Sequence, residues 1–247
     1  MPNITALART ALLSTLFIGG GNALAAAPDE LWHGNIAVGG ALATGNTSSK
    51  VLTGSAEATR TTAIDKVNLF GNVNYGRNKV NGVETTTADQ VRGGGRYDYN
   101  LSEAVFVFAG SDGETNKAAG LDSRVNLGTG LGYKLIHDST TTLDVFGGLG
   151  WSHAKFIDGT TGKGATALLG EESTHKLSDT TTFKQRAEFH PGAHDIGNVA
   201  TLDAGLATAI SGGWTLNTGL TVHYASKVPA GLKSTDSLLT VGFGYKF

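Results

Sequence analysis

The sequence predicts an all-β fold: a transmembrane, antiparallel, up-and-down β-barrel of about 12 strands, with a range of 10–14. Three observations carry this. From Leu239 onward, Leu239, Val241, Phe243, Tyr245 and Phe247 share one side of the chain, and Thr240, Gly242, Gly244 and Lys246 share the other. The same two-residue alternation recurs along the chain between Gly, Asn, Asp, Ser and Pro punctuation. Finally, no run past the first thirty residues approaches the roughly 18 apolar residues of a spanning helix, and mean hydropathy is close to zero. A strand with one apolar and one polar face suits a wall between lipid and a polar interior. On a soluble sheet, an edge ending in bare aromatics would invite aggregation.

The bulk numbers fit one such unit. The chain has 247 residues with 36 Gly, no Cys and 16% charged residues. A single barrel can use that whole length. A formal charge of -2 gives no electrostatic case for a nucleic-acid partner. The absence of Cys excludes disulfides and suits a protein that crosses an oxidising compartment.

The N-terminus reads as a targeting segment. Arg9 is the only charged side chain before Asp29. A short apolar stretch around Leu12, Leu13, Leu16, Phe17 and Ile18 precedes Ala23-Leu24-Ala25 and Ala26-Ala27-Pro28. Small residues after a short apolar core define a secretory signal with an A-x-A cleavage site. Residues 1–27 are therefore expected to be a cleaved signal peptide, with 28–247 forming the barrel in the outer membrane of a Gram-negative envelope.

Strand by strand, alternation sets the expected segments. Residues 32–43 place Trp32, Ile36 and Val38 opposite His33, Asn35 and Ala37; 50–59 place Leu52 and Ala56 opposite Thr53, Ser55 and Glu57. Residues 66–77 set Leu69, Val73 and Tyr75 against Asn68, Asn72 and Asn74, and 87–99 set Val91, Tyr97 and Tyr99 against Arg92, Arg96 and Asp98. A fifth segment, 103–111, is apolar on both faces and shows no clear inside. Residues 123–136 oppose Leu127, Leu131 and Tyr133 to Arg124, Asn126 and Lys134, and 141–154 oppose Leu143, Val145 and Trp151 to Asp144 and Ser152. The segment 165–174 is the least regular, since Gly170-Glu171-Glu172 also suits a loop. Residues 180–190, 200–210 and 214–225 resume the alternation, with Lys184, Arg186, Glu188 and Asp203 on the polar side.

Connections are expected to alternate in length. Short ones fall at 100–102, 137–139, 176–178 and 211–213, and longer ones near 78–86, 112–122, 157–164, 191–199 and 226–235. Bacterial barrels put short turns in the periplasm and long loops outside, so both termini are expected in the periplasm. Residues 45–49 are a short connection where a long one is expected. A soluble β-sandwich or lipocalin-like barrel is the competing fold. Its buried faces would be Val, Ile and Leu with charge outside, whereas here charges share a face with Asn, Thr and Gly. Trp32, Tyr99, Trp214 and Tyr245 near one set of strand ends read as an interfacial girdle.

Four motifs in order carry a family resemblance: Gly45-Asn46-Thr47 after a Trp-led first strand, Gly130-Leu131-Gly132-Tyr133, the stretch 177–191 ending Phe189-His190-Pro191, and Val228-Pro229-Ala230-Gly231 before Asp236. Together they resemble the YdiY-like salt-induced outer-membrane proteins, a family without assigned function. The resemblance implies an outer-membrane barrel and supplies no catalytic residue, ligand or cofactor.

Chemistry was sought among the seven His. His137-Asp138-Ser139 has the residue types of a hydrolase, but adjacent residues in a tight turn offer neither the orientation nor the dry pocket that a triad needs. His190, His194 and Asp195 share one expected outer loop, yet Pro191-Gly192 opposes the helix that would give the i, i+4 spacing meaning. Asp112-Gly113-Glu114 and Asp158-Gly159 read as ordinary solvated acidic loops, with contact to divalent cations bridging lipopolysaccharide phosphates as the weaker alternative. Gly93-Gly94-Gly95 has no following Lys-Ser/Thr or helix, so it suits a tightly packed strand rather than a phosphate loop. No catalytic residue, metal or cofactor is expected.

The interior carries more information. Glu57, Arg92, Arg96, Asp98, Arg124, Lys134, Asp144, Lys184, Arg186, Glu188 and Asp203 are expected to line the lumen. Both signs are present, which favours pairing or a narrow, weakly selective pore. Tyr245 and Phe247 are expected to act as the assembly signal. The expected role is a non-enzymatic narrow channel or structural envelope component, with a lipid or peptide hydrolase using a rim His as the alternative. Expected partners are outer-membrane lipid and lipopolysaccharide, the barrel-assembly machinery and small solutes.

Overall fold

In the computed structural model, residues 30–44, 49–80, 83–117, 120–192, 197–226 and 234–247 are described. The signal segment, the Gly45-Asn46-Thr47 and Val228-Pro229-Ala230-Gly231 motifs, and His194 and Asp195 lie outside them. Twelve strands form one closed antiparallel barrel. They are β1 (Trp32–Thr44), β2 (Ser49–Thr61), β3 (Asp65–Val80), β4 (Val83–Asn100), β5 (Val105–Asn116), β6 (Leu121–His137), β7 (Thr141–Phe156), β8 (Thr161–Lys176), β9 (Thr181–His190), β10 (Val199–Ser211), β11 (Trp214–Ala225) and β12 (Thr235–Lys246). Every strand pairs with its sequence neighbours, and β1 closes on β12. Closure leaves the sheet without a free edge, which a hydrocarbon environment demands.

Register and alternation divide the wall into two faces. On the outer face, Val38 is 60% exposed, Leu149 70% and Phe243 61%, a pattern that only an apolar surrounding makes favourable. Aromatics mark both ends of this belt. Trp32, Tyr97, Tyr99, Tyr133, Trp214 and Tyr245 stand at the end where β1 begins and β12 finishes; Tyr75, Trp151, Phe189 and Tyr224 stand at the other. Trp214 and Tyr245 meet edge to face, centroids 5.5 Å apart. Two girdles flanking an apolar band are the signature of a bilayer-spanning barrel.

The end carrying β1's start is built from turns at 62–64, 101–104, 138–140, 177–180 and 212–213, each of two to four residues. In the last, Gly212 (φ 56°) and Gly213 (φ 86°) both adopt positive φ, the conformation that a two-residue type I′ hairpin requires. The Gly213 carbonyl also accepts the Lys246 N–H at 2.8 Å, fastening this hairpin to the last strand.

The opposite end corrects the expected loop lengths. Three expected long loops, 78–86, 112–122 and 157–164, are largely strand, leaving connections 81–82, 117–120 and 157–160. Only 191–198 and 226–234 are long. The ladder continues because its polar backbone is satisfied by the neighbouring strand as well as by water. The fifth strand accordingly runs Val105–Asn116 rather than 103–111, and the eighth Thr161–Lys176 rather than 165–174.

The seam explains the C-terminal residue. Gly34 donates its N–H to the Phe247 carbonyl at 2.9 Å, and Phe247 donates its own N–H to the Gly34 carbonyl at 3.1 Å. A Cβ on Gly34 would lie 2.2 Å from the Phe247 ring. The ring therefore rests directly on a glycine that leaves it room.

Candidate functional site

The interior is where this chain concentrates polar chemistry. The eleven charged positions singled out above all alternate with outward apolar neighbours, and their partners are specific. Arg92 Nε meets Asp112 Oδ2 at 3.3 Å, Arg96 Nε donates to Asp98 Oδ1 at 2.6 Å, and Arg124 lies 3.7 Å from Glu114. Arg186 is held by Glu172 at 2.6 Å and by Glu188 at 2.5 Å. Glu57 accepts from Asn68 Nδ2 at 2.7 Å, Lys134 Nζ donates to Asn100 at 2.9 Å, and Asp203 accepts from the Thr221 hydroxyl at 2.5 Å. Lys184 stands within electrostatic reach of Glu57 and Glu172, and Asp144 within reach of Lys66 and Lys134.

Sequence reasoning missed four features of this interior. Lys66 of β3 reaches Glu172 of β8 at 3.5 Å, an ion pair between strands far apart around the barrel. It crosses the lumen. Gly170-Glu171-Glu172 suits a loop by sequence alone, and its placement in β8 aims Glu172 inward.

Asp112 and Glu114 are the second feature. They do not form an acidic outer loop but sit in β5, facing Arg92 and Arg124. This corrects the expected solvated outer loop: the acids neutralise interior guanidiniums.

The third is an aromatic cluster. Phe106, Phe108 and Phe146 are 2%, 5% and 5% exposed and pack with Leu168 inside the barrel. The Arg96 guanidinium lies 4.4 Å from the Phe108 centroid and 4.8 Å from that of Phe146, and Arg186 lies 5.1 Å from Phe146. Each desolvated cation–π contact contributes about 1–2 kcal/mol. Glycines on facing strands make room for these rings. A Cβ on Gly132 would lie 2.0 Å from the Phe106 ring, and one on Gly170 would lie 2.5 Å from Phe146. Phenylalanine opposite glycine was the available signal for the inside of β5.

The fourth is an asymmetry. Around β3–β9 the inner wall carries Arg, Phe, Lys and Glu. Around β10–β2, across the seam, small residues such as Ala37, Gly39, Ser55, Gly205, Gly219 and Gly242 stand between fewer charges, Glu57, Asp203 and Lys246. A cavity of about 50 Å³ lies there, lined by Thr53, Ser55, Asn72, Asn74, Asn217 and Thr240 among others. Bulky side chains thus concentrate on one side of the inner wall and small ones on the other.

The other candidates are ordinary surface. His137 and Ser139 are exposed. Asp138 Oδ1 accepts the N–H groups of Thr140 and Thr141, each at 2.8 Å, so its carboxylate holds the turn rather than orienting a His. Those bonds, the Thr140 N–H first, hold the Asp138 carboxyl below the usual range. His190 Nε2 meets Glu188 at 3.2 Å and extends the interior network. Among the described residues no group of three or more His, Cys, Asp or Glu is arranged to hold a metal. Gly94 lies in β4, where a Cβ would come within 2.5 Å of the Ser111 carbonyl oxygen: it is a close-packed strand position.

With this geometry in view, the comparisons fix the class. The fold is that of outer-membrane porin-like barrels. It resembles the NanC porin (TM-score 0.58, 11% identity, 86% of this chain and all of that one) and the translocator domain of the autotransporter NalP from Neisseria meningitidis (TM-score 0.52, 12% identity, 87% and 88%). It also resembles the KdgM porin (TM-score 0.50, 11% identity, 86% and 99%). Residues 36–247 match the family described as "protein of unknown function, DUF481", and the chain belongs to that family. No curated protein matches the sequence.

Proposed function

We propose that this protein is a narrow channel of the bacterial outer membrane whose conducting path is eccentric. The observation that supports it most is the asymmetric interior: the β3–β9 half is bridged by Lys66–Glu172 and packed by Arg96 on its phenylalanines, while the wall at the seam carries smaller residues around a recess of about 50 Å³. Barrels of this size stand between those filled by side chains and open porins, and this one combines both conditions.

The same reading gives the remaining placements. Residues 1–27 direct export and are removed, and the short-turn end with both mature termini faces the periplasm. Tyr245 and Phe247 present the last strand to the barrel-assembly machinery, and the apolar belt meets outer-membrane lipid and lipopolysaccharide. The resemblance to YdiY-like salt-induced proteins belongs to this reading. The eleven charged residues then act as lumen lining, with mixed charge that gives weak ionic selectivity.

Planar-bilayer recording of refolded protein tests it. Discrete openings far smaller than those of a wide porin are expected. A bilayer that stays at leak current with verified insertion would leave only the structural role, for which the cross-lumen ion pair would be the reason.

A further inference from the structure

The apolar belt of the outer wall is broken at β8 and β9. Leu168 of β8 packs inside the barrel with the phenylalanines, so alternation turns Leu169, Glu171 and Ser173 outward. Arg186 and Glu188 of β9 belong to the interior network, so Gln185 and Ala187 face outward between them. Glu171 is the register partner of Val145 and Ala187, and Gln185 that of Ser173 and Ala204. Gln185 Nε2 donates to Glu171 Oε1 at 2.6 Å. Ser173 and His175 stand between Glu171 and the β8–β9 turn, and Phe183 stands between that turn and Gln185. The carboxylate and the amide therefore lie within the belt and not at its edge.

An ionisable side chain at this depth is costly against lipid and marks a functional contact. Among the described residues Glu171 has no ion pair, and neither it nor Gln185 makes a second side-chain hydrogen bond. That leaves one carboxylate oxygen, one amide N–H and the amide oxygen open on the outer surface. Hydrocarbon satisfies none of them.

Three features point to what does. The open groups are self-complementary. Two such pairs, brought together about a two-fold axis along the membrane normal, set each free Gln185 N–H against the other copy's free Glu171 oxygen. Each carboxylate then accepts from both amides. This reciprocity needs donor and acceptor at one depth, which diagonal neighbours on adjacent tilted strands provide. The wall around the pair is also low. Ala165, Ala167, Ala187 and Ala204 face outward there, against Leu239, Val241 and Phe243 on β12. Small side chains let two backbones approach closely in a membrane. Finally, β8 and β9 pair over eight residues, against ten at the β1–β12 seam, and a second barrel laid on this wall shields that short ladder.

We infer that β8 and β9 form the interface of a two-fold dimer, in which a second copy of this chain covers Glu171 and Gln185. The interface leaves the lumen of each copy untouched, and it stands whether or not the barrel conducts.

Because the chain has no Cys, single cysteines in the turns report it. Asp179, with its side chain 99% exposed, lies in the β8–β9 turn below the pair. Ala63, also exposed, lies in the β2–β3 turn on the far side of the barrel. In membranes from cells expressing the full chain, a short bismaleimide should link Asp179→Cys into a two-copy product and leave Ala63→Cys monomeric. Adding Glu171→Leu and Gln185→Leu should lower the yield at position 179 by about tenfold, because the reciprocal hydrogen bonds are lost. The heat-modifiable mobility of the folded barrel should be kept. Ala187→Trp retains the pair but holds two walls apart; it should lower the yield likewise, and serves if the leucine variant does not fold. Equal yields at both turns, no linked product, or a yield unchanged in the variants overturns the dimer. A product whose mass is not twice that of the chain puts another protein on this wall and overturns it too.

Discussion

Removal of Phe247 is expected to lower the amount of folded barrel in the outer membrane by at least about tenfold, since two backbone hydrogen bonds contribute about 1 kcal/mol each. The residue donates to and accepts from Gly34 at 3.1 and 2.9 Å, and its ring covers the face of that glycine. These contacts join β12 to β1, the one pairing that converts an open sheet into a barrel. An open seam would leave unpaired N–H and C=O groups in hydrocarbon, at several kcal/mol per group. Phe247→Leu keeps the backbone bonds and loses the ring, so its loss should be intermediate. Gly34→Val displaces the ring while leaving the C-terminal residue intact, and should resemble Phe247→Leu. Heat-modifiable gel mobility and outer-membrane levels read all three. Normal levels of the truncated protein would contradict the account.

The second large effect is expected in the lumen. Replacing both Lys66 and Glu172 by Ala removes an ion pair that spans the lumen. Single-channel conductance should then rise about threefold, because ion flow is set by the narrowest charged section. The single variants should separate stability from opening. Glu172→Ala leaves Lys66 without its acid and takes one of two carboxylates from Arg186. Stranding one member of a half-buried pair is more destabilising than removing both, as for a buried one but by less. Glu172→Ala should therefore unfold at a lower temperature than the double variant. A double variant with unchanged conductance would show that the bridge does not narrow the path.

How much of this was legible follows residue by residue. The terminal alternation from Leu239 to Phe247 and the punctuation between segments suffice for a barrel of twelve strands, because a period of two is local information. Loop lengths were not legible, since residues such as Asp112 and Glu114 look solvated until Arg92 and Arg124 are known to face them. The same holds for β5. Val105, Phe106, Val107 and Phe108 are all apolar, and only the β6 glycines Gly130 and Gly132 beside Phe108 and Phe106 show which pair is inside. Lys66–Glu172 depends on the closure of the barrel, a relation between distant strands that no local pattern encodes.

The central claim is that one side of the interior is open and the other filled. Because the chain contains no Cys, single cysteines can probe it against a silent background. Ser55→Cys on the seam side and Leu168→Cys on the phenylalanine side should be treated with a cationic methanethiosulfonate during current recording. The account predicts rapid modification and loss of current at position 55, with position 168 protected. Modification at both positions at equal rates, or at position 168 alone, would contradict it.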